Sequence, residues 1–462
     1  MNNKLLSNIL SFTTIVLVIF VACPLGWAAT YYVNATSGND SNVGTSRDAP
    51  LKTIQKAADK SAPGDKYIVL PGSYNERVRI TRSGASGQPI VYQAEGSSVI
   101  TQGFTIDASY IHIVGFEITD TIDSATDGTG VTVNGSFCEV KSNYIHDTTR
   151  VGILLYYASS RDSSNVSNCI VSGNRIYRAG RAGIEINGRN QLVENNDISH
   201  TLQYPTKWVN YGSGMDADGI LFHGSGHTIR KNRIHDILMS DPENKDPHID
   251  CFQTWGPAYN IVFEQNFCDN PTDEMQGFMI SKAEAPVQNL TVKNNIIKAF
   301  RLLNVWDCEN IIIVNNSFKS ELSYQGASGY GIELHNSPNS KVKNNLFYDV
   351  GRHSYPYLYK DSASEAGLDA GYNCHYMSDG TPPVGSPRSR DLWQVDPKLV
   401  NISTNDFHLQ SGSPLINVGA TLSEVLNDYD GNPRPQGKGY SIGAFEFFSS
   451  APSSPKGLKV VQ

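Results

Sequence analysis

The sequence predicts an all-β solenoid, a coil of short parallel strands, and three observations carry that expectation. An Asn stands two positions before an apolar residue at Asn143, Asn174, Asn196, Asn232, Asn266, Asn295, Asn316 and Asn345, at intervals of 21 to 36 residues. Repeats of that period indicate a stacked architecture. A short β-rich run precedes most markers, as in Cys169-Ile-Val171 and Ile311-Ile-Ile-Val314, and a second follows, as in Gly183-Ile-Glu-Ile186 and Gly331-Ile-Glu-Leu334. The composition agrees: 40 Gly, 23 Tyr and only 18% charged residues among 462 favour a turn-rich β protein over a helical one. An Asn repeated at one corner can build a hydrogen-bonded ladder along the stack.

Residues 1–28 read as a secretory signal, with Lys4 as the positive start, Ile15 to Ala22 as the apolar run and Gly26-Trp-Ala28 as the cleavage site. Export, to the extracellular space or the periplasm, is the expectation. Val21-Ala22-Cys23 offers lipoprotein anchoring at Cys23 as the alternative. No later stretch is long and apolar enough to span a bilayer. Residues 29–108 are expected to hold an N-terminal cap and the first rungs. Tyr31-Tyr-Val-Asn34 is the first strand, and Leu51 to Ala62 is a short amphipathic helix stopped by Pro63-Gly64. Such a helix covers the open end of a stack, where backbone groups are otherwise unpaired.

The coil itself is assigned to 109–355. Variable intervals mark loop insertions, the longest at 201–214 and 239–247, and long loops at one end of neighbouring strands outline a groove. A closing segment, 356–447, contains Asp428-Tyr-Asp-Gly-Asn-Pro433 and Ile442-Gly-Ala-Phe445 and is expected to cap the C-terminal end. Residues 448–462, rich in Ser, Pro and Ala, form a flexible tail. A net charge of −8 without a basic run gives no reason to expect nucleic acid, and the chain is expected to act as a monomer. Six cysteines follow the signal, none with paired zinc-type spacing. Cys138 and Cys169 both lie five residues before their Asn marker, so on neighbouring rungs they form either a disulfide or a stacked pair of thiols.

Tyr31-Tyr-Val-Asn, Ala49-Pro-Leu-Lys-Thr-Ile-Gln-Lys-Ala57 and Pro71-Gly-Ser-Tyr74, followed by the Asn-marked repeat, resemble the secreted right-handed parallel β-helix proteins of the pectate-lyase-like superfamily. The opening is similar to that of polysaccharide lyase families six and nine. The resemblance covers residue 31 to about residue 350. It implies a right-handed parallel β-helix and an enzyme acting on an acidic, uronic-acid polysaccharide.

Aligning the Gly-Ile runs stacks Asp218, Asp250 and Gln276 in one column, with Asp216, His248 and Glu274 in a second, two residues earlier. A third column holds Glu185, Leu221, Gln253, Met279, Asn304 and Glu333. A fourth holds Asn187, His223, Trp255, Ser281, Trp306 and His335. An acidic patch bordered by aromatics suits a carbohydrate groove. Trp255, Trp306, Gln253, His223 and Arg301 are the expected substrate-binding residues. Asp218 shares its parity with Ile220 and Phe222, so a regular pleat would turn it inward, and Gly219 is the residue able to break that pleat. Cys251 occupies the equivalent place on the next rung.

Two mechanisms fit the patch. In the first, Asp216, Asp218, Asp250 and Glu274 hold Ca²⁺, an ion that takes oxygen ligands, and Lys282 removes the C5 proton of a uronate in a β-elimination. The resemblance implies this lysine role, since Ser281-Lys282 after Glu274-Met-Gln276 is similar to family six; Gln276 departs from that pattern. In the second, Asp216, Asp218 and Asp250 hydrolyse a glycoside as in polygalacturonase-type β-helices, although Ile249 and Gln276 depart from that family's motif. His248 is a further catalytic candidate, and Asp246-Pro-His248 is similar to the active-site tripeptide of mannuronan epimerases. A non-catalytic carbohydrate-binding or surface β-helix is the remaining alternative, because Asp before Gly is common in turns.

Overall fold

The computed structural model describes residues 28–121, 128–156, 162, 165–203, 216–241, 247–269, 276–283, 285–320, 331–351 and 356–448. The expected signal, with Cys23, and nearly all of the tail lie outside them. Parallel strands stack rung upon rung. One face is a 13-stranded sheet running from Thr30–Val33 to Asp369–Gly371. A second set of parallel strands builds the other faces and ends with Leu392–Trp393 beside Cys374–Tyr376. Stacking therefore runs through the expected first rungs and continues past residue 355 to Trp393.

The helix is shorter than expected, Ile54–Lys60. Thr53 caps it by accepting the Lys56 N–H, while Leu51 is drawn into a bridge with Val33. Ile54, Ala57 and Ala58 bury its apolar stripe.

The Asn ladder runs as the spacing requires. Each Asn Nδ2 donates to the Oδ1 of the next marker, from Asn143 to Asn174 at 3.0 Å through Asn316 to Asn345 at 3.0 Å. Asn373 adds a further step and meets Asp391. Each Oδ1 also accepts the preceding marker's backbone N–H, as in Asn232 N to Asn266 Oδ1 at 3.0 Å. The residue before each marker has positive φ, from +53° at Asn294 to +62° at Gly173, and this left-handed step turns the corner.

Six strands on one face form the site scaffold: β1 (Ala182–Ile186), β2 (Asp218–Phe222), β3 (Asp250–Thr254), β4 (Gln276–Ser281), β5 (Arg301–Trp306) and β6 (Ile332–His335). Their inward positions Ile184, Ile220, Phe252, Phe278, Leu303 and Ile332 are in register and buried. Phe252 and Phe278 stack with centroids 4.5 Å apart, and Phe263 meets both edge-on.

Of the two arrangements open to Cys138 and Cys169, the structure has the second: they are free, buried thiols stacked on neighbouring rungs, and the disulfide joins Cys251 to Cys268, with Cα atoms 6.2 Å apart. Cys251 lies in a column with Gly183, Gly219 and Gly277, and Cys268 in a column with Ile198, Ile234 and Ile297. Rungs on either side thus pack Ile against Gly where this rung places the bridge.

The expected closing segment begins as further rungs, through Leu392–Trp393, and from Leu399 onward lies along the flank, where Phe407, Leu409, Leu415, Ile442 and Phe445 cover the outward-facing Ile296, Leu346 and Cys374. The apolar character of those outward positions is what demands a covering. Polar contacts fasten it to successive corners. Gln265 Nε2 donates to Asp428 O at 2.7 Å, Asn294 Nδ2 to Asn427 O at 2.6 Å, Asn315 Nδ2 to Ser441 O at 3.1 Å and Asn344 Nδ2 to Ala420 O at 2.8 Å.

Candidate active site

The site begins at the glycine that breaks the pleat. A Cβ on Gly219 would lie 2.6 Å from Ile234 Cγ2 and 2.8 Å from the Cys251 carbonyl oxygen, so residue 219 faces the interior together with Ile220. Cys251 repeats that orientation through its bridge to Cys268. The preceding residues, Asp218 and Asp250, are thereby turned away from the apolar core. Asp250 N donates to Asp218 Oδ1 at 2.9 Å, and Gln253 Nε2, in the outward column, donates to Asp250 Oδ2 at 2.8 Å.

Both acids are fully buried. Asp218 Oδ2, Asp250 Oδ1 and Gln253 Oε1 have no hydrogen-bond partner among the described residues. Burial first, then repulsion from Asp216 and Asp250, pushes the Asp218 carboxyl well above the usual range. Burial and then Asp216 do the same to Asp250, with Gln253 and Arg301 opposing. Desolvation and mutual repulsion between two carboxyls on adjacent rungs thus favour the protonated form of the pair.

Asp216 is the member that solvent touches, its side chain 17% exposed. It bridges to His248, as the column alignment expected. Burial raises its pKa, while Arg181, exposed His248 and a hydrogen bond with Gln253 favour its ionised form. Arg181 was not anticipated. Its Nη1 donates to Glu185 Oε2 at 2.8 Å, its Nε stands 3.9 Å from Asp216 Oδ2, and its guanidinium lies 5.8 Å from the Trp255 ring centre. Extending the column alignment one rung upward would have found it, since the adjacent Ala182 is the rung partner of Asp218.

Arg301 is the rung neighbour of Gln276 and favours ionisation of both Asp250 and Glu333. Asn304 Nδ2 donates to Gln276 Oε1 at 3.0 Å, and Trp306 Nε1 donates to Asn304 Oδ1 at 2.6 Å. Trp255 is half-buried and meets His223 edge-on at 5.0 Å.

Two placements depart from expectation. His223, expected to face a substrate, is wholly buried, with Nδ1 3.3 Å from Thr254 Oγ1. Lys282, expected to abstract a proton beside the acids, is exposed at the far end of β4, where its N–H meets Trp306 O. Six residues beyond Gln276 at about 3.3 Å each, it stands about 20 Å from the acid column. The alignment identified the correct strand but not the distance along it.

Glu274 lies outside the described residues. The oxygen-only donors Asp216, Asp218 and Asp250 suit a hard cation in chemistry. Among the described residues, however, no three His, Cys, Asp or Glu side chains form a metal-holding group. Nor is any described helix long and apolar enough to cross a membrane.

A family model described as "Pel9A-like, right handed beta helix region" matches residues 31–258, and one described as "Right handed beta helix region" matches residues 218–364. The chain is a right-handed parallel β-helix. Pectate lyase PEL9 of Emericella nidulans is 40% identical over 83 residues, 17% of this chain and 20% of that protein. The chain's matches span at most 28% of the curated relatives' own length. Among solved structures, pectate lyase Pel9A aligns with a TM-score of 0.52 at 16% identity, over 90% of this chain and 96% of its own. XylC in complex with xylose aligns with a TM-score of 0.59 at 14% identity, over 91% and 98%. At such identities these likenesses establish the fold of the β-helix alone.

Proposed function

We propose that this pectate-lyase-like β-helix cleaves glycosidic bonds of a uronic-acid polysaccharide by hydrolysis, with Asp216, Asp218 and Asp250 as its acid–base set. The observation that carries this reading is the buried, hydrogen-bonded stack of Asp218 on Asp250 beside the solvent-touching Asp216. Neighbouring carboxyls held in unlike environments divide into acid and base. Asp250, proton-bearing by burial, is the general acid for the leaving oxygen. Asp216, which burial also raises but which touches solvent and is drawn back toward ionisation by Arg181 and His248, is the base that draws a proton from water. They are diagonal neighbours, one rung and two residues apart, or about 8 Å from the ordinary spacings, within the roughly 6.5–9.5 Å of an inverting pair. Asp250 is closed to solvent, so productive binding entails opening of the site.

A second reading, β-elimination, is favoured by the match to pectate lyase PEL9. One experiment separates them: incubation with polygalacturonate, alginate and neutral xylan, reading new reducing ends and ultraviolet-absorbing unsaturated ends, with and without chelator. Hydrolysis gives reducing ends without unsaturation, unaffected by chelator. Unsaturated ends that vanish with chelator would replace hydrolysis by calcium-assisted elimination. Binding without cleavage would leave a carbohydrate-binding protein.

A further inference from the structure

The C-terminal ends of β5 and β6 present an aromatic shelf that the cleavage chemistry does not use. Trp306 is 40% exposed, unusual for an indole, and lies flat on His335, with centroids 3.7 Å apart and planes 5° apart. The stack continues to Tyr359, 37% exposed, at 4.8 Å. Both supports are fixed. Trp306 Nε1 is tied to Asn304, and His335 Nε2 sits 3.3 Å from Glu333 Oε2. A rigid, oriented indole costs little further ordering when a ligand stacks on it.

One face of Trp306 is covered by His335. On the other side its rung partner is Ser281, whose short side chain leaves that face open. Next to Ser281 stands Lys282, exposed and without an ion pair among the described residues, its backbone N–H on Trp306 O. An exposed ring face and an exposed cation thus occupy adjoining positions of neighbouring rungs. A uronate offers the complement, a flat C–H face and a carboxylate.

We infer that Trp306 and Lys282 form a distal subsite that stacks a uronate ring on the indole and pairs its carboxylate with the ammonium group. This deepens the proposed function and rests on it for the direction of the bound chain. The shelf lies two rungs and five residues from Asp250, about 19 Å by the rung and strand spacings. A single sugar cannot bridge that distance. Only a chain several rings long reaches both, so the subsite selects long polymers and holds one end while the acids act on an internal bond. Lys282 thereby binds substrate and takes no part in proton abstraction.

The test is calorimetric binding of galacturonate dimers and long oligogalacturonates to the full chain carrying Asp250→Asn, so that binding is read whether or not the parent protein hydrolyses them. Adding Trp306→Ala should weaken long-oligomer binding about tenfold and leave the dimer unchanged, with Trp306→Phe restoring most of the loss. Lys282→Gln should weaken the long acidic oligomer and leave a long xylo-oligosaccharide unaffected. Long-oligomer affinity unchanged in Trp306→Ala, with the variant's thermal unfolding intact, would overturn the subsite. An equal loss for acidic and neutral oligomers in Lys282→Gln would overturn its uronate preference. Failure of the parent to cleave would count against hydrolysis alone.

Discussion

Asp250 donates its backbone N–H to Asp218 Oδ1 at 2.9 Å, so two carboxyl groups from adjacent rungs share one buried polar pocket. Both carry pKa values raised above the ordinary carboxyl range, burial being the first cause. An acid whose folded pKa is raised contributes stability that is fully present below its unfolded value and lost as pH rises through the folded value. Thermal unfolding should therefore show stability falling from mildly acidic pH upward. Asp218→Asn should flatten that fall while reducing turnover by at least about a hundredfold. An unchanged pH profile in the variant would show that the pair does not hold the proton.

Gly219 sets the orientation of Asp218. Gly219→Ala places a methyl 2.6 Å from Ile234 Cγ2 and 2.8 Å from a backbone oxygen. The expected cost is about 1–3 kcal/mol from overpacking, with a loss of activity larger than the stability change alone explains. Urea unfolding and steady-state kinetics on the same preparation check both parts.

Within the ladder, Asn266→Ala removes the acceptor for Asn232 N and Nδ2 and the donors to Asn295 Oδ1 and Ile229 O. Buried N–H groups left unpaired make this the most damaging kind of substitution, about 2–4 kcal/mol. Asn373→Ala, at the ladder's last step, should cost less. Denaturant midpoints of the two variants give the comparison.

The disulfide closes a segment of sequence separation 17, worth about 3 kcal/mol by loop entropy. Cys251→Ser should lose roughly that amount in non-reducing denaturation. The double variant C251G/C268I, which copies the Gly and Ile of the flanking rungs, should recover part of it because the Ile side chain fills the place the bridge vacates.

Those flanking columns show what the Asn register determines and what it leaves open. The Asn register correctly stacked Asp218 on Asp250 and on Gln276, and Asp216 on His248. A register states which residues share a column and is silent on packing across the interior, where Cys251 meets Cys268. Lys282 belongs to none of the acid columns: six residues beyond Gln276, it stands about 20 Å from the acids. His223 was placed in the right column but its burial depends on Thr254 and Trp255. The doubled Asn294-Asn295, Asn315-Asn316 and Asn344-Asn345 were a legible signal. The second Asn of each builds the ladder, and the first, at positive φ, reaches out to the flanking segment.

That flanking segment changes how the molecule comes apart. A stack of rungs whose contacts are only with nearest neighbours can fray from its ends one turn at a time. Here Arg434 pairs with Glu446 in a buried contact at 2.8 Å and also reaches Asn294, while the same segment grips the corners at Gln265, Asn315 and Asn344. Four successive turns are thereby tied to one strap. Unzipping from the C-terminal end must first peel that strap away, so those turns melt as a single cooperative block, and the block includes the rungs that carry Trp306 and His335.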